Sequence, residues 1–419
     1  MPLEPLFAEL EQNIADDLNV ERLAEAGRLS RTQLYREFYN TTGHSVKEYV
    51  RKRRLSKALA LIKHTDMPLT QIAHECGFGL PQALCKSVKA AIGQTPAQYK
   101  ASDEEYYFPA CDGRDSGDQW TQVVTVAAET IPPMLCLRYY DSRLQGLENR
   151  ALDWLFASRP DYRGRIFGRN GKQEGSKLCY ELYIESDSAE QPAINGTFAK
   201  TSCQNIEAEI NAAWDYLYND WLKTSMFAQA EQPWLEEYIH NGRQIKSLQL
   251  YLPVIKRPGF HKIQLHRCED MHFLVVCKFG ANAEKDSSDA VVSFLTAYYP
   301  RLAHNARHLY VSTTEPTEGL RLVQGQPYTC GIQLQAPIDL PPGCGAQMLT
   351  RPAGEYAILE GDCCGDTAAY EAVMAAWVGS MGLRASTAPF AVYEIAEGFR
   401  KQDARVKIYR QIGKFGTIG

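Results

Sequence analysis

The chain has 419 residues, 45% hydrophobic and 23% charged, an ordinary soluble balance with enough apolar material for about three domains. No run approaches the roughly eighteen apolar residues of a membrane span, and the start MPLEPLFAELEQ has neither the basic nor the apolar region of a signal peptide, so a cytoplasmic protein is expected. The net charge of −5 is uneven: residues 1–101 hold fourteen Lys/Arg against eleven Asp/Glu, the remainder thirty-one against thirty-nine. Nine basic residues crowd between Arg28 and Lys57, including Arg51-Lys52-Arg53-Arg54, so a polyanion is expected to meet the N-terminal end.

In chain order, the first pattern is Leu23-Ala24, then Gly27, then Ser30 to Phe38, then Thr42-Gly43. The second repeats it as Ile72-Ala73, Gly77-Phe78, a polar stretch to Lys89, and Gly93 to Tyr99. An aliphatic-Ala pair, a turn and a polar amphipathic helix are how a recognition helix is mounted for the major groove. Two such heads read adjacent grooves about 34 Å apart on one face of the duplex.

Ser30 with Gln33 makes a capping box at the first recognition helix. Leu34 and Phe38 turn inward, leaving Ser30, Arg31, Thr32, Gln33 and Arg36 as the expected DNA contacts. Val46, Val50, Leu55, Leu59 and Ile62 predict a long connector helix, and Thr95-Pro96 with Gln98 opens a last short one. In the second head Leu84 and Val88 face inward, and Gln82, Lys86 and Lys89 remain for DNA, as holders of phosphates rather than readers of bases.

Residues 5–101 resemble the AraC/XylS family of transcriptional regulators, on Leu23-Ala24, Ser30, Leu34, Phe38, Thr42-Gly43, Tyr49, Arg54, Ala58, Ile72-Ala73, Gly77-Phe78, Gly93, Thr95-Pro96 and Tyr99. The resemblance implies an all-α domain of seven helices with two helix-turn-helix units, bound to double-stranded promoter DNA. The second recognition helix departs from the family, which usually has aromatic residues and an Arg there.

Residues 102–119, acidic and rich in Gly and Asp, read as a linker or hinge. Beyond it the periodicity changes to strands at 122–127, 134–139, 164–169, 178–185, 196–202, 235–238 and 246–253, with helices near 144–158 and 206–224. The order recurs with strands at 262–266, 271–279, 308–312, 329–336, 347–360, 390–395 and 404–410 and helices at 287–299 and 368–379. The repeat distance of about 140 residues indicates a duplicated domain, not a solenoid. The twelve cysteines form no C-x-x-C pattern and have no His partners at zinc spacing, so no metal site is expected. The adjacent Cys363-Cys364 is read as inert in a reducing compartment.

Each half, 120–256 and 257–419, resembles the GyrI-like effector-binding domain. The first does so on Phe198-Ala199, Trp214, Trp221 and Pro233 to Tyr238, the second on Pro352 to Ala357, Trp377 and Pro389 to Tyr393. The resemblance implies two α+β domains, each a curved antiparallel sheet with two helices on one face and a central cleft for lipophilic, often cationic molecules. A carboxylate ringed by aromatics attracts a delocalised cation by charge and by ring quadrupole. Glu236 matches the family's inward acid, with Glu181, Tyr183, Trp214 and Trp234 as expected walls. In the second copy that position falls on Ala391 or Val392, so Glu355, Glu360 or Glu394 would have to substitute.

Together these readings predict a transcriptional regulator controlled by a small-molecule effector, acting on RNA polymerase, with no cofactor and no catalytic residues. Small-molecule hydrolysis and drug sequestration are the alternatives.

Overall fold

Local signals place the helices. The computed structural model describes every residue except 1–2, 114–120, 187, 190, 258–259, 306–307, 314–326, 363–366, 382, 395–404 and 414–419. Cys363-Cys364 and the end of the expected linker lie outside the described residues. Seven helices come first: α1 (Glu4–Gln12), α2 (Val20–Ala26), α3 (Arg31–Thr42), α4 (Val46–His64), α5 (Leu69–Glu75), α6 (Pro81–Ile92) and α7 (Pro96–Ala101). Both expected capping boxes form, Ser30 with Gln33 and Thr95 with Gln98. Gly43 and Gly93 close α3 and α6 in the left-handed region.

The two helix-turn-helix turns are superimposable in their hydrogen bonds. Leu29 N–H donates to Ala24 O (2.9 Å) in the first and Phe78 N–H to Ala73 O (2.8 Å) in the second. The left-handed residue is Arg28 (φ 52°) in one and Gly77 (φ 70°) in the other, so Gly27 is not the turning residue that its position suggests. Gly77 has no alternative, because a Cβ there would lie 2.3 Å from Ala15 O.

The basic run in α4 faces inward more than expected. Arg53 is buried, with two 2.9 Å hydrogen bonds to Glu11 and one of 2.6 Å to Phe108 O. Arg54 donates to the carbonyls of Ile14, Asp16 and Gly77, tying α1 and the second turn to α4. These two arginines hold the domain together and are not free for DNA.

The chain divides into two compact units, 1–256 and 257–419. The first unit continues with β1 (Glu105–Tyr107), β2 (Val124–Ile131), β3 (Met134–Asp141), α8 (Leu147–Ser158), β4 (Ile166–Asn170), β5 (Leu178–Glu185), β6 (Ile194–Cys203) and α9 (Glu207–Asp215). A π-helical turn, Tyr216–Trp221, leads to α10 (Leu222–Thr224), β7 (Phe227–Gln229), β8 (Leu235–Asn241) and β9 (Gln244–Lys256). The antiparallel sheet runs β1-β2-β6-β9-β8-β4-β5-β3, with β7 on β9. The segment expected to be a hinge is instead a splint at its described end. Its strand β1 pairs with β2, while Phe108 and Cys111 are buried in the core of the helical domain.

The second unit comprises β10 (Phe260–Cys268), β11 (Met271–Phe279), α11 (Ala283–Tyr298), α12 (Pro300–Asn305), β12 (His308–Ser312), β13 (Pro327–Leu334), β14 (Gln347–Arg351), β15 (Gly354–Asp362), α13 (Thr367–Ser380), β16 (Arg384–Ala385), β17 (Phe390–Glu394) and β18 (Arg405–Gly413). Its order, β10-β15-β18-β17-β12-β13-β11-β14 with β16 on β18, repeats the path from β2 to β3 as far as β11 and adds β14 beyond it. The single strand expected at 347–360 is broken at Pro352-Ala353, where Pro has no N–H for a ladder. Its two halves pair with different neighbours, β14 with β11 and β15 with β10 and β18.

Candidate functional site

On α3 the side chains of Arg31, Thr32, Tyr35, Arg36 and Tyr39 are exposed, opposite buried Leu34 and Phe38. Ser30 and Gln33 are exposed too, but they hold one another: Ser30 N–H donates to Gln33 Oε1 (3.0 Å) and Gln33 N–H to Ser30 Oγ (3.4 Å). They shape the helix start, which leaves the Gln33 amide NH2 and the Ser30 hydroxyl hydrogen as donors toward DNA. Arg31 lies 3.3 Å from Glu21 and hydrogen-bonds Tyr35, while Arg36 pairs with Glu37 at 2.9 Å. Such solvated pairs are weak and yield readily to phosphate. Sequence reading passed over Tyr35 and Tyr39, 44% and 60% exposed. Their i, i+4 spacing in line with Arg31 was the signal. On α6, Gln82, Lys86 and Lys89 are exposed on one face, opposite buried Leu84 and Val88.

In the first sheet, strand alternation sorts the residues expected around Glu236 onto two faces. Trp234, Glu236 and Tyr238 share the face covered by α8, α9 and the π turn, as does Tyr180. Trp214 Nε1–H donates to Glu236 Oε1 (2.9 Å), and Tyr180 O–H donates to Oε2 (3.1 Å). The hydroxyls of Tyr180 and Tyr238 lie 2.6 Å apart. Trp234 and Tyr218 stack edge-on and tilted against Trp214, with ring centroids at 5.3 and 5.8 Å. Gly168, paired with Glu236 across β4 and β8, makes the reach of Tyr180 possible: a Cβ there would sit 2.5 Å from the Tyr180 hydroxyl. Burial raises the Glu236 pKa, the two hydrogen bonds pull it back, and the anion Glu148 adds to the rise. Among the described residues no cation pairs with Glu236.

Glu181 and Tyr183 project from the opposite face and do not reach Glu236. Glu181 is held by Arg138 (3.1 Å), Arg169 (2.9 Å) and Tyr183 (2.6 Å), so its charge is already answered. Tyr183 and Arg169 instead line a groove of about 500 Å³ with Phe167, Ile194 and Leu235. The expectation of one pocket walled by both glutamates is thereby corrected, because neighbours in a strand point to opposite sides.

In the second unit the equivalent strand is β17, and its helix-facing residues are Ala391 and Tyr393, in the places of Glu236 and Tyr238. Val311 stands where Gly168 does, and Tyr328 takes the place of Tyr180, beside Tyr393. None of the expected substitutes fills the gap. Glu360 and Glu394 are both paired with Lys407, and Glu355 is exposed. The tyrosine pair survives in the second copy, but the carboxylate beside it comes from another element: the exposed Glu284 of α11 lies beside Tyr328, and the strand position of Glu236 holds Ala391.

Residues 23–102 match a family model described as a helix-turn-helix domain, and residues 194–254 one described as an integron-associated effector binding protein. The second match spans β6 to β9 and so includes Trp214, Trp234 and Glu236. The chain is 32% identical over 102 residues to the transcriptional regulator Rob of Salmonella typhimurium, covering 24% of this chain and 35% of that protein. It is 28% identical over 108 residues to the multiple antibiotic resistance protein MarA of the same species, covering 25% of this chain and 85% of MarA. The chain thus spans about a third of the length of Rob and of the right origin-binding protein of Escherichia coli. Among solved structures, the DNA-binding domain of AdpA in complex with a target DNA is 29% identical, covers 24% of this chain and 90% of that one, and gives a TM-score of 0.23.

Proposed function

We propose that this chain, which matches a helix-turn-helix domain and an integron-associated effector binding protein, is an AraC-family transcriptional regulator whose DNA contacts respond to a lipophilic cation held at Glu236. One observation carries the ligand half. Glu236 is a desolvated carboxylate flanked by Trp214 and Tyr180, with another anion nearby and, among the described residues, no cation paired with it. A delocalised cation supplies the missing charge and stacks on the indoles without needing hydration. The exposed faces of α3 and α6 support the DNA half, with Arg31, Thr32 and Arg36 reading bases and Gln82, Lys86 and Lys89 on phosphates. RNA polymerase at the promoter is its further partner, in the cytoplasm.

The effector is bound and not transformed. Trp214 and Tyr180 already donate to both Glu236 oxygens, which suits a charge held in place better than a base poised over water. Calorimetric titration of wild type and Glu236→Gln with tetraphenylphosphonium tests the ligand half, binding by the wild type with at least tenfold loss in the variant being expected. Equal affinities would remove Glu236 from the site. Titration with selected duplex DNA, with and without the cation, separates regulation from sequestration, in which DNA affinity would not respond.

A further inference from the structure

Across the sheet from Glu236, the groove of about 500 Å³ has an apolar floor and a charged wall. Phe167, Leu235 and Ile131 form the floor, buried in one hydrophobic cluster with Phe198 and Tyr251. Gln191 to Asn195 make one rim and Gln232 with Pro233 the other, tied where Gln232 Nε2–H donates to Asn195 O (3.0 Å). Arg169 and Tyr183 complete the wall, the guanidinium carbon 5.0 Å from the centre of the Tyr183 ring. The charges there do not cancel. Glu181 accepts from Tyr183 (2.6 Å), Arg169 (2.9 Å) and Arg138 (3.1 Å), so one carboxylate answers two guanidiniums. Arg169 meets it through Nε and Nη2, and its Nη1 has no hydrogen-bond partner among the described residues.

The second unit shows what such a floor accepts. With Ala391 in the place of Glu236 and Val311 in that of Gly168, Phe390 and Tyr310 stand where Leu235 and Phe167 do. There the chain covers the floor itself. The Arg351 guanidinium lies 4.9 Å from the Phe390 ring centre and 5.7 Å from that of Tyr310, and its Nη2 donates to the Tyr310 hydroxyl (2.5 Å). The paired positions of Arg169 and Glu181 hold Ser312 and Thr329. One copy thus seats a flat group of its own on this floor, while the other leaves the place open and sets a positive wall beside it.

We propose that the groove of the first unit binds an aromatic carboxylate, its ring on Phe167 and Leu235 and its carboxylate on Arg169. The volume and the mostly apolar lining with a few polar groups are those of a small-molecule site. A guanidinium gives a carboxylate charge-assisted hydrogen bonds. Glu181 and the Tyr183 ring already hold Arg169 in place, so binding costs it little side-chain freedom. The same two guanidiniums repel a cation. The two faces of one sheet therefore take ligands of opposite charge, and this second site does not depend on the reading of Glu236.

Calorimetric titration of the full chain with 2-naphthoate and with its neutral counterpart, 2-naphthalenemethanol, tests this. Wild type should bind the carboxylate about tenfold more tightly than the alcohol, or better, since only the carboxylate engages Arg169. Arg169→Gln should erase that difference. Ala193→Trp, at a partly exposed rim position, fills the groove and should abolish binding of both compounds, with a thermal melt to show that the variant folds. Glu236→Gln should bind naphthoate within about twofold of wild type, because the two sites lie on opposite faces. No binding of naphthoate by wild type overturns the site, as does full affinity in Ala193→Trp. Equal affinity of wild type for acid and alcohol, or an undiminished preference in Arg169→Gln, overturns the placing of the carboxylate. If Arg169→Gln does not fold, the acid-to-alcohol ratio of wild type decides. A loss of naphthoate binding in Glu236→Gln would assign the anion to the other face and overturn the proposal as well.

Discussion

Glu236 shows how much one carboxylate owes to its neighbours. In solution it would be an ordinary acid. Here burial raises its pKa and three neighbours define its use: Trp214 and Tyr180 as donors, and Gly168 as the gap through which Tyr180 reaches it. The raised pKa sets the sign of a pH dependence. A cation binds the ionised acid, so affinity for tetraphenylphosphonium should fall as pH drops through a midpoint raised from that of an ordinary glutamate, and Glu236→Gln should flatten the profile. Titrations at several pH values check this, and an identical slope in both proteins would assign the titration elsewhere. Gly168→Ala should weaken cation binding and also lower stability, because the whole Tyr180 ring, buried in the core, must shift: the new Cβ would lie 2.5 to 2.9 Å from its hydroxyl and two of its ring carbons. On the DNA side, Arg36→Ala should cost about 1–3 kcal/mol of specific binding if that guanidinium reads a base. Loss by the same factor on every duplex would make it a phosphate contact instead. Glu236 was legible in the sequence because of the Pro-Trp-Leu-Glu-Glu-Tyr run around it. Tyr180 and Gly168 were not, since they reach it from two other strands.

Among the elements, the two helix-turn-helix turns are the same structure made from different residues. Arg28 bears the left-handed strain that Gly77 avoids, at about 1–2 kcal/mol for a residue with a side chain. Arg28→Gly should therefore leave stability level or slightly raised, since relieved strain offsets the backbone entropy that glycine adds. Gly77→Ala should lower it by about 1–3 kcal/mol, because φ is unsuitable and Ala15 O blocks the Cβ. Urea denaturation of both variants decides whether the turns are equivalent in this sense. Strands illustrate a different limit of reading along the chain. The Leu178–Glu185 run predicts a strand correctly, yet Glu181 and Tyr183 belong to a different face from Tyr180. Helix 206–224 was legible too, but its π turn was not, since nothing in local propensity marks where a register slips.

At the level of the molecule, duplication has kept a topology and changed a site. Two sheets share one strand path, while the Gly168 and Glu236 of the first correspond to Val311 and Ala391 in the second. Side chains on a sheet face can be exchanged while backbone pairing persists. The other whole-chain feature is the splint. A fragment ending at 101 removes Phe108 and Cys111 from the helical core, whereas one ending at 113 retains them. The longer fragment should unfold at higher urea, and Phe108→Ala in the full chain should cost about 3–5 kcal/mol. Equal midpoints for the two fragments would show that the splint adds nothing to the helical domain. Charge also acts at this scale: DNA affinity should fall steeply as salt rises, and a flat dependence would contradict docking through phosphates.

The amino-acid sequence by itself determined the helix-turn-helix pair, the helix caps, most strands and the duplication, because these follow from periodicity, capping chemistry and turn residues within a few positions. Tertiary structure alone decided the rest. It turned Arg53 and Arg54 inward, made a splint of a segment that composition marks as a hinge, and split the expected pocket between two faces of one sheet. Those outcomes depend on which distant groups come within reach. Arg53 meets Glu11 and Phe108 only after the chain has folded back on itself.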